Sequence, residues 1–290
     1  MNLVGQVCFV AGGVGTIGRG IARGLLRAGA TVVVHSSSGS KLDGLQRALG
    51  DSGGASRLLG VRGSLTTPEA AAELQKDVQS LLGGALDHVV VHGGVRAWNA
   101  RGAVECERLA PVAAHQSVLE LTAAEFDATH GLADMTFNCA AEFLRGRLVD
   151  QPGASFTLVT GARGARGGVD PSHTALAALH AHALHGLAAA LRADTRARAV
   201  RVTELRCALT TDRGAAERAR EPRARPLSAD IGEIVAGIAA TAVRGDAAGD
   251  GLLEIPDAAA LAQLRDEYEC DEIAPQPLLW NWEKEQRAAA

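Results

Sequence analysis

Apolar positions along the chain alternate between two patterns, and the alternation predicts its elements. Val7-Cys-Phe-Val-Ala11 is a short unbroken apolar run and reads as a buried strand. A glycine cluster follows, and then Ile17, Ile21 and Leu25 recur at helical spacing as far as Ala30. Thr31–His35 reads as the next strand, Ser36-Ser-Ser-Gly39 as a loop, Ser40–Leu49 as a helix and Arg57–Arg62 as a third strand. Pro68 opens a helix carrying Leu74, Val78, Leu81 and Leu82, with Glu69 beside the positive end of its dipole. Asp87–His92 is an apolar strand ending in Gly93-Gly94.

The pattern continues with a helix over Glu125–Leu148, a strand over Ser155–Thr160 and a long helix around Ala183–Leu187. A strand over Val200–Leu205, a helix over Ile231–Val243 and a last strand over Gly251–Ile255 complete it. Strand and helix in regular alternation mean parallel strands joined by right-handed crossovers. The expected fold is therefore α/β: one Rossmann-like, doubly wound parallel sheet of about seven strands with helices on both faces. It spans residues 1–257, and a C-terminal helix with an acidic, aromatic tail covers 258–290. Residues 95–121 are an extended loop insertion, longer than the usual link of about 2–6 residues.

The glycine cluster adds chemistry to this outline. Without Cβ atoms the backbone can approach a pyrophosphate, which then sits at the positive end of the helix. The alternative is a tight strand-to-helix turn with no ligand. Composition narrows the rest. At 290 residues and 47% apolar the chain suits one large domain with appendages. No apolar run approaches the roughly 20 residues of a membrane helix. The first strand begins almost at once, leaving no room for a targeting peptide, and Cys8, Cys106, Cys139, Cys207 and Cys270 show no CxxC spacing. A cytoplasmic protein with buried thiols is expected. Arg192–Arg225 holds ten arginines against five acids, whereas 226–290 holds four basic groups against thirteen acids. Aromatics to stack bases are absent from the basic stretch, so a solvated face is expected there and nucleic-acid binding is not.

The order of elements, the glycine turn, and the strand Asp87-His-Val-Val-Val with its two-glycine ending resemble the short-chain dehydrogenase/reductase family over roughly residues 5–257. The resemblance implies a nicotinamide dinucleotide at Gly12, Gly13, Thr16, Ile17, Gly18, Ser36, Ser37, Ser64, His92, Gly93 and Gly94. Ala11 and Thr16 stand where the family has threonine and glycine. After the second strand His35, Ser36 and Ser37 supply neither the acid that selects NAD nor an arginine for NADP. The serines can bond a 2′-phosphate and Lys41 or Arg19 lies near in sequence, so NADP is favoured slightly over NAD, with no cofactor as the third possibility.

The resemblance also implies a catalytic Asn, Ser, Tyr and Lys, and these are missing. Ala133 falls at the asparagine position and Gly161 at the serine position, with Thr160 the nearest hydroxyl. The tyrosine and lysine positions fall at Ala177 and Ala181, or at His173 and Ala177 in the other register. Tyr268 is the sole tyrosine, and the lysines are Lys41, Lys76 and Lys284, so no shift of register restores the pair. A non-catalytic member acting as a dinucleotide-binding or assembly subunit is expected. The alternative is an active NADP-dependent reductase of a small carbonyl compound with His173 as acid–base group. His173 and His180, or His182 and His185, can share a helix face, but no acid or cysteine completes a metal set, and no metal is expected. The resemblance further implies that the long helices 123–148 and 173–193 pack across the interface of a homodimer or hetero-assembly.

Overall fold

A computed structural model describes residues 1–49, 55–92, 133–161, 175–195, 198–209, 227–245 and 251–270. Its strands are β1 (Val7–Ala11), β2 (Thr31–Ser36), β3 (Leu58–Arg62), β4 (His88–His92), β5 (Ser155–Gly161), β6 (Arg201–Cys207) and β7 (Leu252–Ile255). They form one parallel sheet in the order β3-β2-β1-β4-β5-β6-β7. The expected α/β architecture and strand number are therefore observed. Insertion 95–121, Gly93, Gly94 and His173 lie outside the described residues.

The helices are α1 (Thr16–Arg27), α2 (Gly39–Leu49), α3 (Pro68–Leu82), α4 (133–148), α5 (Ala175–Thr195), α6 (Leu227–Arg244) and α7 (Ala258–Glu267). Side chains alternate across the sheet, so each strand feeds two cores. Val10, Val32, Val34, Val90 and Leu205 face α1, α2 and α6. Phe9, Val33, Val89, Phe156 and Leu158 face α3, α4 and α5. This double burial explains why the strands read as continuous apolar runs rather than alternating ones.

Three boundaries differ from expectation for visible reasons. Arg57 does not begin β3. It lies in a 3₁₀ turn, Ala55–Arg57, and its guanidinium donates to the Leu26 and Ala30 carbonyls at 2.8 and 3.1 Å, tying down the exit from α1. Ser36 belongs to β2 rather than to the loop, because its carbonyl accepts from Gly63 N at 3.2 Å. Helix α6 starts about one turn early, at Leu227, where a glycine contact with α1 extends the packed face. There, a Cβ on Gly20 would strike the Ser228 carbonyl, one on Gly24 the Gly232 carbonyl, and one on Gly232 the Gly20 carbonyl. The two helices consequently meet backbone to backbone.

Within α4, Ala140–Leu148 is wound as a π-helix, and its Phe143 stacks on Phe9 with ring centroids 4.4 Å apart. Helix α7 is capped by Asp257, whose side chain accepts from Ala260 N at 2.9 Å. It packs on α6, and Tyr268 just beyond it occupies the space that a Cβ on Gly237 would need.

Candidate functional site

In an open parallel sheet the ligand crevice lies outside the carboxyl ends of the strands, where the order of connection reverses. Here the reversal falls between β1 and β4. The chain leaves β1 at Ala11 and turns through Gly12–Gly15 into α1, with Gly12 at φ +74°. Residues Gly12, Gly13, Thr16, Ile17 and Gly18 all lie at this turn.

Their roles differ, however. A Cβ on Gly12 would strike the His92 carbonyl, one on Gly13 would come within 2.5 Å of Val34 Cγ1, and one on Gly18 within 2.6 Å of the Gly12 carbonyl. These three glycines let the turn pack on itself. Gly15 is the one whose Cβ would meet only the Gly12 carbonyl, at 3.8 Å. It is exposed, extended (φ −71°, ψ 172°), and caps α1 with no side-chain hydrogen bond among the described residues. The first turn also carries no acid. Uncapped amides at the positive end of a twelve-residue helix fit an anion such as a pyrophosphate. Sequence reasoning missed Gly15; its signal was the absence of any Ser, Thr, Asp or Asn at the N-cap position. Thr16 is exposed beside it, and Ile17 packs against the core below. Arg19 braces the turn by donating from Nε to the Val14 carbonyl at 2.8 Å.

At the end of β2, Ser36 is buried and its Oγ accepts from Ser38 N at 3.1 Å. Ser37 is exposed, and its carbonyl accepts from Arg62 Nε at 3.3 Å. His35 is buried, donates from Nε2 to the Gly63 carbonyl at 3.2 Å, and its Nδ1 has no partner among the described residues. Burial lowers its pKa against the opposing pull of that carbonyl. After β3, Ser64 folds back on Thr66, Oγ to Oγ1 at 2.9 Å. At the end of β4, burial pushes the His92 pKa down to about 4, opposed by a hydrogen bond to the Val159 backbone, and Nδ1 again has no partner among the described residues.

At the end of β5 a hydroxyl meets a buried carboxylate. Thr160 donates its hydroxyl hydrogen to Glu204 Oε1 at 3.0 Å. Glu204, on β6, is fully buried and is held by Arg192 at 2.5 Å and Arg206 at 3.0 Å. The Gly161 carbonyl accepts from His185 Nε2 at 3.0 Å. Burial, first, and the nearby Arg206 lower the His185 pKa; Gly161 and Glu204 oppose them. Ala181, which falls at the expected lysine position in one of the two registers, is buried at 6% exposure. Ala133, at the asparagine position, is half-buried, while Asn138 ties α4 to the Leu65 carbonyl at 2.9 Å. Sequence reasoning missed the Glu204 cluster, whose signal was a lone acid within an apolar strand. It also accounts for two arginines of the basic stretch as internal partners.

Among the described residues no three His, Cys, Asp or Glu side chains are grouped to hold a metal, and no helix is long and apolar enough to cross a membrane.

A sequence model described as short chain dehydrogenase matches residues 6–222. Among curated proteins no match is found. Among solved structures, a dehydrogenase/reductase from Sinorhizobium meliloti is 23% identical with a TM-score of 0.66, over 88% of this chain and 94% of that one. A metagenomic short-chain oxidoreductase in complex with NADP is 19% identical with a TM-score of 0.62, over 87% and 97%. A short chain oxidoreductase from Pseudomonas aeruginosa, described as containing an atypical catalytic center, is 17% identical with a TM-score of 0.61, over 78% and 77%.

Proposed function

The chain belongs to the short-chain dehydrogenase family, and on that premise we propose that it binds a nicotinamide dinucleotide, NADP ahead of NAD, and uses it for sensing or assembly rather than turnover. A bound nicotinamide supplies or accepts a hydride, and a reductase must also move a proton at the substrate oxygen. Gly15 and the first turn of α1 bind the pyrophosphate, and Ser37 lines the ribose end. The observation that carries the non-catalytic reading is the end of β5. Its one hydroxyl, Thr160, is given to buried Glu204, and Ala181 brings no ammonium group. No lysine occurs anywhere between Lys76 and Lys284.

Assembly through α4 and α5 is supported by their outward faces. Phe137 on α4 is 56% exposed, and α5 turns Ala183, Gly186, Ala189 and Ala190 outward. Small side chains let a second helix pair approach closely, and an exposed aromatic supplies an anchor. Buried, unpaired Cys8, Cys139 and Cys207 support a reducing, cytoplasmic setting.

A second reading keeps the protein as an NADP-dependent reductase with His173 as its acid–base group. The Pseudomonas aeruginosa neighbour favours weighing it, since that protein is described as containing an atypical catalytic center.

One set of measurements separates these. NADPH and NADH are titrated against the protein by fluorescence and melting temperature, and a carbonyl panel is then assayed. Saturable binding with no turnover supports the proposal. Turnover that disappears in His173→Ala replaces it with the second reading, and absence of binding refutes both.

A further inference from the structure

Resting on the dinucleotide reading above, we infer that Arg62, from β3, is the residue that recognises the 2′-phosphate of NADP. The register pairs Arg62 with Ser36, so its side chain emerges where β2 ends. It is exposed, and its Nε donates to the Ser37 carbonyl at 3.3 Å. Among the described residues its guanidinium makes that one hydrogen bond. A guanidinium carries five N–H donors, so the outer fork remains open to a ligand in a geometry that suits phosphate oxygens.

The surroundings favour an anion. The segment His35-Ser-Ser-Ser-Gly-Ser-Lys41 contains no carboxylate, so nothing there repels a phosphate or holds a ribose 2′-hydroxyl by charge. Ser37 is exposed beside Arg62. The bond from Arg62 to the Ser37 carbonyl fixes the guanidinium over this loop rather than leaving it to swing in solvent. Arg19, the nearest cation in the glycine turn, donates inward to the Val14 carbonyl, and Arg57 is committed to the exit of α1. Arg62 also stands at a suitable distance. Neighbouring strands are about 4.8 Å apart, so the end of β3 is about 10 Å across the sheet from the glycine turn. That spacing separates the pyrophosphate from the far side of the adenosine ribose.

The test uses the full chain and titration calorimetry with adenosine 2′,5′-bisphosphate, AMP, NADPH and NADH. The wild-type protein is expected to prefer each 2′-phosphorylated ligand by about 10- to 100-fold, the scale of a charge-assisted phosphate contact. Arg62→Gln should bring the pairs to near parity while leaving the affinity for AMP and NADH unchanged. Arg62→Lys should retain part of the preference, since it keeps the charge and loses the fork. A residue that merely shaped the loop would lower all four affinities together, and that result overturns the inference. So does a wild-type protein that binds both classes equally, or a preference that survives Arg62→Gln. If none of the four ligands binds, the dinucleotide reading itself falls, and Arg62 with it.

Discussion

Replacing His88 with glutamine should flatten the acid side of the stability profile. The imidazole is fully buried in β4, with Nδ1 accepting from Ser155 Oγ at 2.9 Å and Nε2 donating to Gln6 Oε1 at 3.2 Å. Both ring nitrogens are satisfied in the neutral form. Burial pushes the pKa down from 6.5 to about 4, against the attraction of the Asp87 carboxylate. The unfolded chain therefore binds this proton first as the pH falls. Stability is intact above the unfolded value of 6.5, drains as pH falls from there towards 4, and levels off below. By linkage the full loss is about 3 kcal/mol, and about 2 kcal/mol of it has gone by pH 5. Urea unfolding of both proteins between pH 7 and pH 5 measures it. His88→Gln lowers stability at neutral pH, so the quantity to read is the slope. His35 and His92, also buried with lowered pKa values, titrate in both proteins and cancel in the difference. Parallel profiles for the two proteins would refute the assignment.

Three further outcomes follow from the packing. Gly24→Ala forces α1 away from the Gly232 backbone and should cost about 1–3 kcal/mol in urea unfolding, with an unchanged circular dichroism spectrum. Glu204→Ala deprives Arg192 of its buried carboxylate and leaves Arg206 with Glu254, and should cost about 3–5 kcal/mol; a change under about 1 kcal/mol would contradict the burial of that carboxylate. Gly15→Asp should do the opposite for stability and function. An N-cap acid gains a few tenths of a kcal/mol for α1, yet its charge occupies the phosphate position, so melting temperature rises while NADPH binding falls at least about tenfold.

What the sequence made legible is what local spacing encodes. Runs such as Thr31–His35 and the Ile17, Ile21, Leu25 repeat specify strand and helix within a few residues, and alternation then dictates parallel order. The glycine turn was visible as a turn. Which of its glycines faces a ligand was not, because Gly13 is fixed by Val34 and Gly12 by His92, residues distant in the chain. The same holds for Arg27 with Glu233, 2.7 Å apart across 206 residues. Arg57 and Arg62 looked like strand ends; only the neighbouring strand and helix exit reveal one as a brace and the other as a guanidinium with a single bond among the described residues. That Tyr268 is the sole tyrosine, and that no lysine lies between Lys76 and Lys284, is by contrast legible in the sequence alone.

The direct contact of α1 with α6 has a consequence for biogenesis. During translation the buried flank of α1 is complete when Arg27 is made, but its cover is finished only at Arg244. At typical synthesis rates that interval is roughly 10–40 s. Throughout it, the nascent chain presents Ile21, Leu25 and bare glycine backbone to any passing chaperone or like chain.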